Sequence, residues 1–459
     1  MTIEATGSEA EPDKGDAGDT HSSLITKNGE LRRGWFVSYL LSNVAGGINT
    51  PLIPLFVVIY LGYNVSYVGI ASALSSLASV PALIYWGNLS DKVGRRKIFV
   101  FTGFFGSFVT LLFITIISGV WEYIAVLMVF QIVAMASVPV STMIILENTA
   151  EIKWPPIMSS FNMIASIGTV LGLIFGSILV LGDTAMTGSS LPDIYLVSAV
   201  VYLIAALSSL YLLPEPIRKI RRNRVNQLFT VRVIERTRYL PSFIIHVLKE
   251  GNGKKKHKLS GSLKKYLFST TLLMFGFQIF FVPFPVFLID RFGAGNLEIF
   301  IMYLLNSLFS TIAFRPAGMM VNRIGPTKTI STSVLSRIAI FTVAALIPFV
   351  ITWNLLLLVI MLAFYGVLGG LWSLISISEV TSISKMCERT VRGGVIGMYN
   401  SLNGVGQILG AGVSGFLALY FGYSADFLIA AAVVTAGLSI ILKIKVPALQ
   451  GASAQNPLP

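Results

Sequence analysis

The sequence predicts an all-α membrane protein, with twelve transmembrane helices arranged in two six-helix pseudo-symmetric bundles. Composition, the number of long apolar runs and an internal repeat carry that expectation. Of the 459 residues, 54% are apolar or aromatic and 12% are charged, against roughly 25% charged in a soluble domain. The mean hydropathy is +0.77. A soluble fold of this size would leave more apolar surface in water than water tolerates. Cys387 is the single cysteine, so no intramolecular disulfide and no multi-cysteine metal site can organise the chain. His21, His246 and His257 fall in polar stretches outside the apolar runs. No metal centre, no cofactor and no enzyme activity is therefore expected.

Residues 1–33 open the chain with seven acids among the first 30 residues and no apolar core, and read as a disordered cytoplasmic tail rather than a signal peptide. The first bundle, 34–213, follows with apolar runs at 34–60, 66–88, 98–119, 123–147, 158–181 and 194–213. A basic cytoplasmic loop, 214–265, holds 15 of the 34 Lys and Arg residues. The second bundle, 266–445, has runs at 266–290, 299–321, 329–351, 355–378, 394–419 and 425–445, and residues 446–459 form a cytoplasmic tail. Each run suits a spanning helix of about 20 residues plus a turn. The runs are continuous and do not alternate polar with apolar, which excludes barrel strands.

Charge sets the orientation. With the amino terminus in the cytoplasm, the inner connections hold Lys92, Arg95, Arg96, Lys97, Lys153, Arg323, Lys328, Lys385, Arg389 and Arg392 as well as the central loop, and the outer connections hold only Arg291. Basic loops stay inside during insertion, so both termini are expected to be cytoplasmic in a multi-pass protein of the plasma membrane. The net charge of +13 is then mainly this bias, and no nucleic-acid partner is expected. Within the central loop, Arg224 to Lys249 mixes arginines with Val225, Leu228, Phe229 and Ile234. That stretch is either an amphipathic helix on anionic lipid or a solvated linker.

The chain repeats itself. At an offset of 231 residues Pro54 falls on Pro285, Gly62 on Gly293, Gly87 on Gly318, Gly94 on Gly325 and Lys97 on Lys328; at 238, Asn162, Gly168 and Gly172 fall on Asn400, Gly406 and Gly410. Two parallel six-helix halves are a repeat architecture of secondary transporters. Residues 87–97, GNLSDKVGRRK, lie between the second and third runs. There the chain resembles the major facilitator superfamily, whose signature at this place is Gly-x-Leu-x-Asp-Arg-x-Gly-Arg-Arg-Lys. A degenerate second copy, GMMVNRIGPTK, stands at 318–328, and the resemblance covers essentially residues 34–445.

In that segment Gly87 and Gly94 allow a tight turn at a crowded helix end. Asp91 can accept from a facing helix amino terminus, and Arg95, beside Arg96, can pair with a carboxylate such as Glu147. The resemblance implies that Gly87, Asp91, Gly94, Arg95, Arg96 and Glu147 form a latch holding the halves outward-open; fixing topology is the plainer alternative. The second copy carries Asn322 for the aspartate and Pro326 for the arginine, so only the first can make the full charged latch.

The resemblance also implies a central cavity flanked by helices one, two, four, five, seven, eight, ten and eleven. Polar side chains halfway along such helices are costly unless they face a cavity or a partner. Asn43, Asn49, Gln131, Gln278, Asn306 and Gln407 are the substrate-binding candidates on that ground, with helix-to-helix hydrogen bonding as the alternative for each. Tyr365 and Trp372 join them as an aromatic wall, or as core. Pro51, Pro54, Pro283 and Pro285 bend or loosen helices one and seven. Gly168, Gly172 and Gly176, with Gly406, Gly410 and Gly415, form close-packing faces. The first of these resembles the fifth-helix motif of drug and proton antiporters but lacks its Gly-Pro pair.

No carboxylate falls at mid-span: Glu147 and Glu379 stand near inner ends, Asp290 and Glu298 beside an outer loop. The fourth-helix arginine and glycine that the family often carries are replaced by Gln131 and Met135. Arg337 lies roughly 14 Å into the ninth helix, where an unpaired cation costs about 3 kcal/mol. Pairing with Glu379 is the first expectation, with snorkelling to the inner surface and binding of an anionic substrate as the alternatives; the resemblance implies a peripheral ninth helix, which disfavours the last. The leading function is secondary active transport of a small organic solute by alternating access, with export of drug-like or amphipathic compounds first because the cavity offers amides and aromatics without a fixed charge. The alternatives are uptake of a sugar or other metabolite, and a non-transporting polytopic receptor or scaffold. The expected partners are a small-molecule substrate and membrane lipids, with a coupling proton or other ion left open, and a monomer is expected.

Overall fold

The computed structural model describes residues 33–148, 154–181, 190–213, 260–350, 353–387 and 392–444. Nearly all of the amino-terminal tail, the stretch Arg224 to Lys249 and the carboxy-terminal tail lie outside the described residues. Among the described residues there is no strand. Twelve segments are long and apolar enough to cross a membrane. In the first half these are α1 (Phe36–Tyr60), α2 (Val65–Ser90), α3 (Arg96–Ile116), α4 (Val120–Ile145), α5 (Ser160–Val180) and α6 (Leu191–Leu212). The second half has α7 (Gly261–Phe292), α8 (Asn296–Ile324), α9 (Pro326–Phe349), α10 (Asn354–Met386), α11 (Val395–Phe421) and α12 (Tyr423–Leu442). Large apolar side chains such as Ile116, Phe349 and Tyr420 stand exposed on the outside, as lipid contact requires.

Local chemistry starts and stops these helices. The Asn64 side chain accepts from the Ser66 amide at 3.1 Å and caps α2, and Ser260 caps α7 through the Leu263 amide at 3.1 Å. Glu298 reaches back to the Gly295 amide at 2.9 Å and opens α8. The prolines interrupt α1 and α7 where the sequence places them. The α1 helix stops at Asn49 and resumes at Leu52, ending in a π-turn over Phe56–Tyr60. In α7 the helix stops at Phe281 and resumes at Phe284. Pro51 and Pro283 have no amide to continue the ladder.

The internal repeat is written into the packing. Gly62 and Gly293 both have positive φ, as do Gly94 and Gly325, so each pair related by the 231 offset places a glycine where the backbone enters the region that side chains disfavour, although Gly94 is left-handed helical and Gly325 has an extended ψ. An added Cβ at Gly168 would lie 2.6 Å from the Leu40 carbonyl oxygen, and one at Gly406 would lie 2.5 Å from that of Thr271. Leu40 and Thr271 are themselves 231 residues apart. The helix pairs obey the same rule: α1 packs on α5 and α6, α2 on α4 and α3 on α6, while α7 packs on α11 and α12, α8 on α10 and α9 on α12.

The two bundles meet mainly through α2 with α11 and α5 with α8. These seams include the loop end opposite the basic 87–97 segment. Gly69 lies against Ala411 and Gly415, Gly415 against Val65 and Ser66, and Gly176 against the Phe300 ring. Small residues here let backbones approach to a distance that a side chain would forbid. The molecule is thus closed at the end carrying Gly62 and Gly293.

Candidate functional site

The polar residues of the second bundle converge because α8 and α10 lie backbone to backbone. A Cβ at Gly369 would overlap the Asn306 carbonyl group. That proximity lets Asn306 Nδ2 donate to the Tyr365 carbonyl at 2.8 Å and Ser373 Oγ to the Ser310 carbonyl at 2.8 Å. Beside this seam is a cavity of ≈ 150 Å³, lined by Gln278 of α7, Asn306 of α8, Arg337 of α9, Trp372 of α10 and Gln407 of α11. Met274, Phe277, Phe281 and Leu368 complete its wall.

Four of the eight substrate-binding candidates, Gln278, Asn306, Trp372 and Gln407, therefore share one cavity. Tyr365 does not line it. Its ring stacks on Phe284 at 5.2 Å and meets Tyr303 at 5.7 Å, inside an aromatic cluster. In the first bundle Asn43 spends its amide on the Tyr39 carbonyl at 2.7 Å, one turn back on its own helix, and Gln131 is half-buried. Asn49 is 8% exposed, and among the described residues neither its amide nitrogen nor its oxygen has a partner. None of these three lines the cavity of the second bundle.

Arg337 departs from the pairing read from the sequence. It is 1% exposed, yet among the described residues no carboxylate is in ion-pair contact with it. Nη2 donates to the Leu368 carbonyl at 2.8 Å. The guanidinium lies 4.3 Å from the Phe277 ring centre, 5.3 Å from Phe281 and 5.8 Å from Trp372. Nε has no partner. A charged hydrogen bond contributes about 1.5–3 kcal/mol and each cation–π contact about 0.5–2 kcal/mol. Together they offset the roughly 2.5–3.5 kcal/mol cost of a cation at this depth without a carboxylate in contact.

Glu379 is engaged elsewhere. The helix of α10 continues to Met386, so Glu379, in its last two turns at the inner end, is nevertheless buried in the bundle at 0% exposure. Its Oε2 accepts from the Tyr399 hydroxyl at 2.5 Å, and Oε1 has no partner among the described residues. Tyr399→Phe removes the one donor of this buried carboxylate and is expected to destabilise the protein by about 2–3 kcal/mol. Thermal unfolding in micelles measures it, and the cost should shrink in a Glu379→Gln background.

The proposed latch is only partly visible. Gly94 ends the α2 helix at φ 71°, and Gly87 faces Pro139. Arg96 is buried and donates to Ser90 Oγ at 2.5 Å, whereas Arg95 is exposed. The Asp91 and Glu147 side chains lie outside the described residues. Arg337, read from the sequence first as half of an ion pair and only then as a binding group, lines the cavity. Its depth in the ninth run was the available signal, and its neighbours Phe277 and Phe281 gave none.

The sequence profile of the Major Facilitator Superfamily matches residues 35–380. A search of curated proteins finds no match. Among solved structures, a mutant of the nucleoside transporter NupG is similar with a TM-score of 0.70 and 16% identity, covering 90% of this chain and 98% of that one. The D-xylose-proton symporter gives 0.66 and 12%, with 90% and 98% covered. The human organic anion transporter MFSD10 (TETRAN) gives 0.56 and 16%, with 89% and 98% covered. At these identities the likeness is one of fold.

Proposed function

The chain belongs to the Major Facilitator Superfamily, and we propose that it carries a small polar organic solute across the plasma membrane by alternating access. The observation behind this reading is the cavity in which Gln278, Asn306, Gln407 and Arg337 meet between apolar walls. Amides that offer both donors and acceptors, held in low dielectric, recognise a polar solute and reject apolar ones by leaving unmatched groups buried. Export of amphipathic compounds rested on a cavity without a fixed charge. Arg337 supplies one, which favours the metabolite reading. The structural neighbours are named for nucleosides, D-xylose and organic anions, and such cargo suits this lining.

With the basic 87–97 end in the cytoplasm, the closure at Gly69 and Gly415 makes this the inward-facing state. Opening the other way requires that seam to part and the 87–97 end to close, where Asp91 and Arg95 act. Counterflow of labelled solutes in proteoliposomes, with and without an imposed pH gradient, tests the reading. Saturable exchange is expected; its absence across a broad panel of polar solutes overturns transport in favour of a scaffold. In the same assay Asp91→Asn and Arg95→Ala should lower flux several-fold with insertion intact, and unchanged kinetics would remove the latch.

A further inference from the structure

We propose that the cavity of the second bundle is a carboxylate subsite, in which Arg337 binds the acid group of a monoanionic organic acid. The inference rests on the transport reading and specifies its cargo.

Arg337 is a permanent cation, held among Phe277, Phe281 and Trp372 with one hydrogen bond to a backbone carbonyl. Its Nε has no acceptor among the described residues, although a guanidinium carries five N–H donors in a planar fork. A buried donor left unmade is costly, and here the cation itself lines a cavity. The group that satisfies such a fork is a planar oxyanion, bound through two parallel N–H···O bonds. The aromatic faces fix the plane of the fork, so the oxyanion would approach in one orientation. A lysine at this position would offer a point charge and no such plane.

The charge count selects a monoanion. Among the described residues Arg337 is the one cation lining the cavity, and no carboxylate lines it. A second negative charge on the ligand would be buried without a partner, which costs several kcal/mol. Size agrees with a small acid: the cavity is ≈ 150 Å³, and an apolar cavity of about that volume takes up benzene. Gln278 and Gln407 have no partners among the described residues, so they remain to bind a polar substituent. Phe277, Phe281 and Trp372 would flank the carbon skeleton.

Three probes separate the terms: benzoate, its neutral isostere benzamide, and phthalate, which adds a second carboxylate to the same ring. Thermal unfolding of the full chain in micelles, titrated with each, reads binding. Benzoate is expected to half-saturate at least about tenfold below benzamide and phthalate. Arg337→Gln should raise the benzoate value by about ten- to a hundredfold while leaving benzamide within about twofold, and Arg337→Lys should fall between. Equal or absent effects of benzoate and benzamide on the wild type overturn the proposal, as does an Arg337→Gln protein that keeps the benzoate preference. Should that variant fail to fold, the wild-type comparison and Arg337→Lys decide alone. Counterflow of labelled benzoate distinguishes the two claims. Binding through Arg337 without exchange sinks transport and leaves the subsite. Exchange of solutes by a protein that binds benzoate no better than benzamide, or as well in Arg337→Gln as in the wild type, leaves transport and sinks the subsite.

Discussion

Replacing Gly69 by valine is expected to stop the transport cycle while leaving insertion and folding of each bundle intact. A Cβ at Gly69 would lie 2.7 Å from the Ala411 carbonyl oxygen and 3.1 Å from the Gly415 amide. Both are backbone atoms, so neither side of the seam can yield without moving a helix. At Gly415 the conflict is mutual, with Ser66 Cα and the Val65 carbonyl oxygen each 2.7 Å away. Overpacking of this kind costs about 1–3 kcal/mol. Here the strain exists only while the α2–α11 seam is closed, so it falls on one conformer. A bias of about 2–3 kcal/mol shifts a two-state equilibrium roughly 30- to 150-fold. The protein should then rest open at the end carrying Gly62.

The measurement is labelling by an impermeant maleimide. With Cys387, the single cysteine, changed to serine and Gln278→Cys placed in the cavity, reactivity from the Gly62 side should rise at least about tenfold in Gly69→Val. Gly404→Val is the control, because a Cβ there meets nothing within 4 Å. If Gly69→Val labels and transports as its parent does, the seam is not the gate.

How much of this was legible in the sequence depends on how local the physics is. The spans were readable because insertion into lipid sums hydropathy over about 20 neighbouring residues. The breaks in α1 and α7 were readable because a proline lacks its amide whatever surrounds it. Gln278, Asn306 and Gln407 could be singled out because an amide within an apolar run needs a partner or a cavity. Which of them share a cavity was not readable. That follows from the rotation of each helix about its own axis, which packing against its neighbours sets. Arg337 shows the limit most plainly. Glu379 was the nearest carboxylate by depth, but the Tyr399 hydroxyl from α11 takes one oxygen, and aromatic faces from α7 and α10 hold the cation instead. Apolar residues carry no sequence signal that they will face a charge.

Gly369→Ala should have the other large effect, and it acts on the fold as well as the site. The added methyl would overlap the Asn306 carbonyl group, forcing α8 away from α10. Two consequences follow from the neighbours of that contact. Asn306 would lose its bond to the Tyr365 carbonyl, and the adjacent residue, Leu368, whose carbonyl holds the Arg337 guanidinium, would shift with the backbone. The loss of packing and of two buried hydrogen bonds is expected to exceed about 3 kcal/mol, lowering the unfolding temperature by about 5 °C or more. Gly172→Ala provides the comparison, since its Cβ would overlap the Val44 carbonyl in the first bundle, far from Arg337. Both variants should melt early. Only Gly369→Ala should also weaken solute binding in the fraction that remains folded. Equal binding in the two variants would mean that the α8–α10 contact supports the bundle without shaping the cavity.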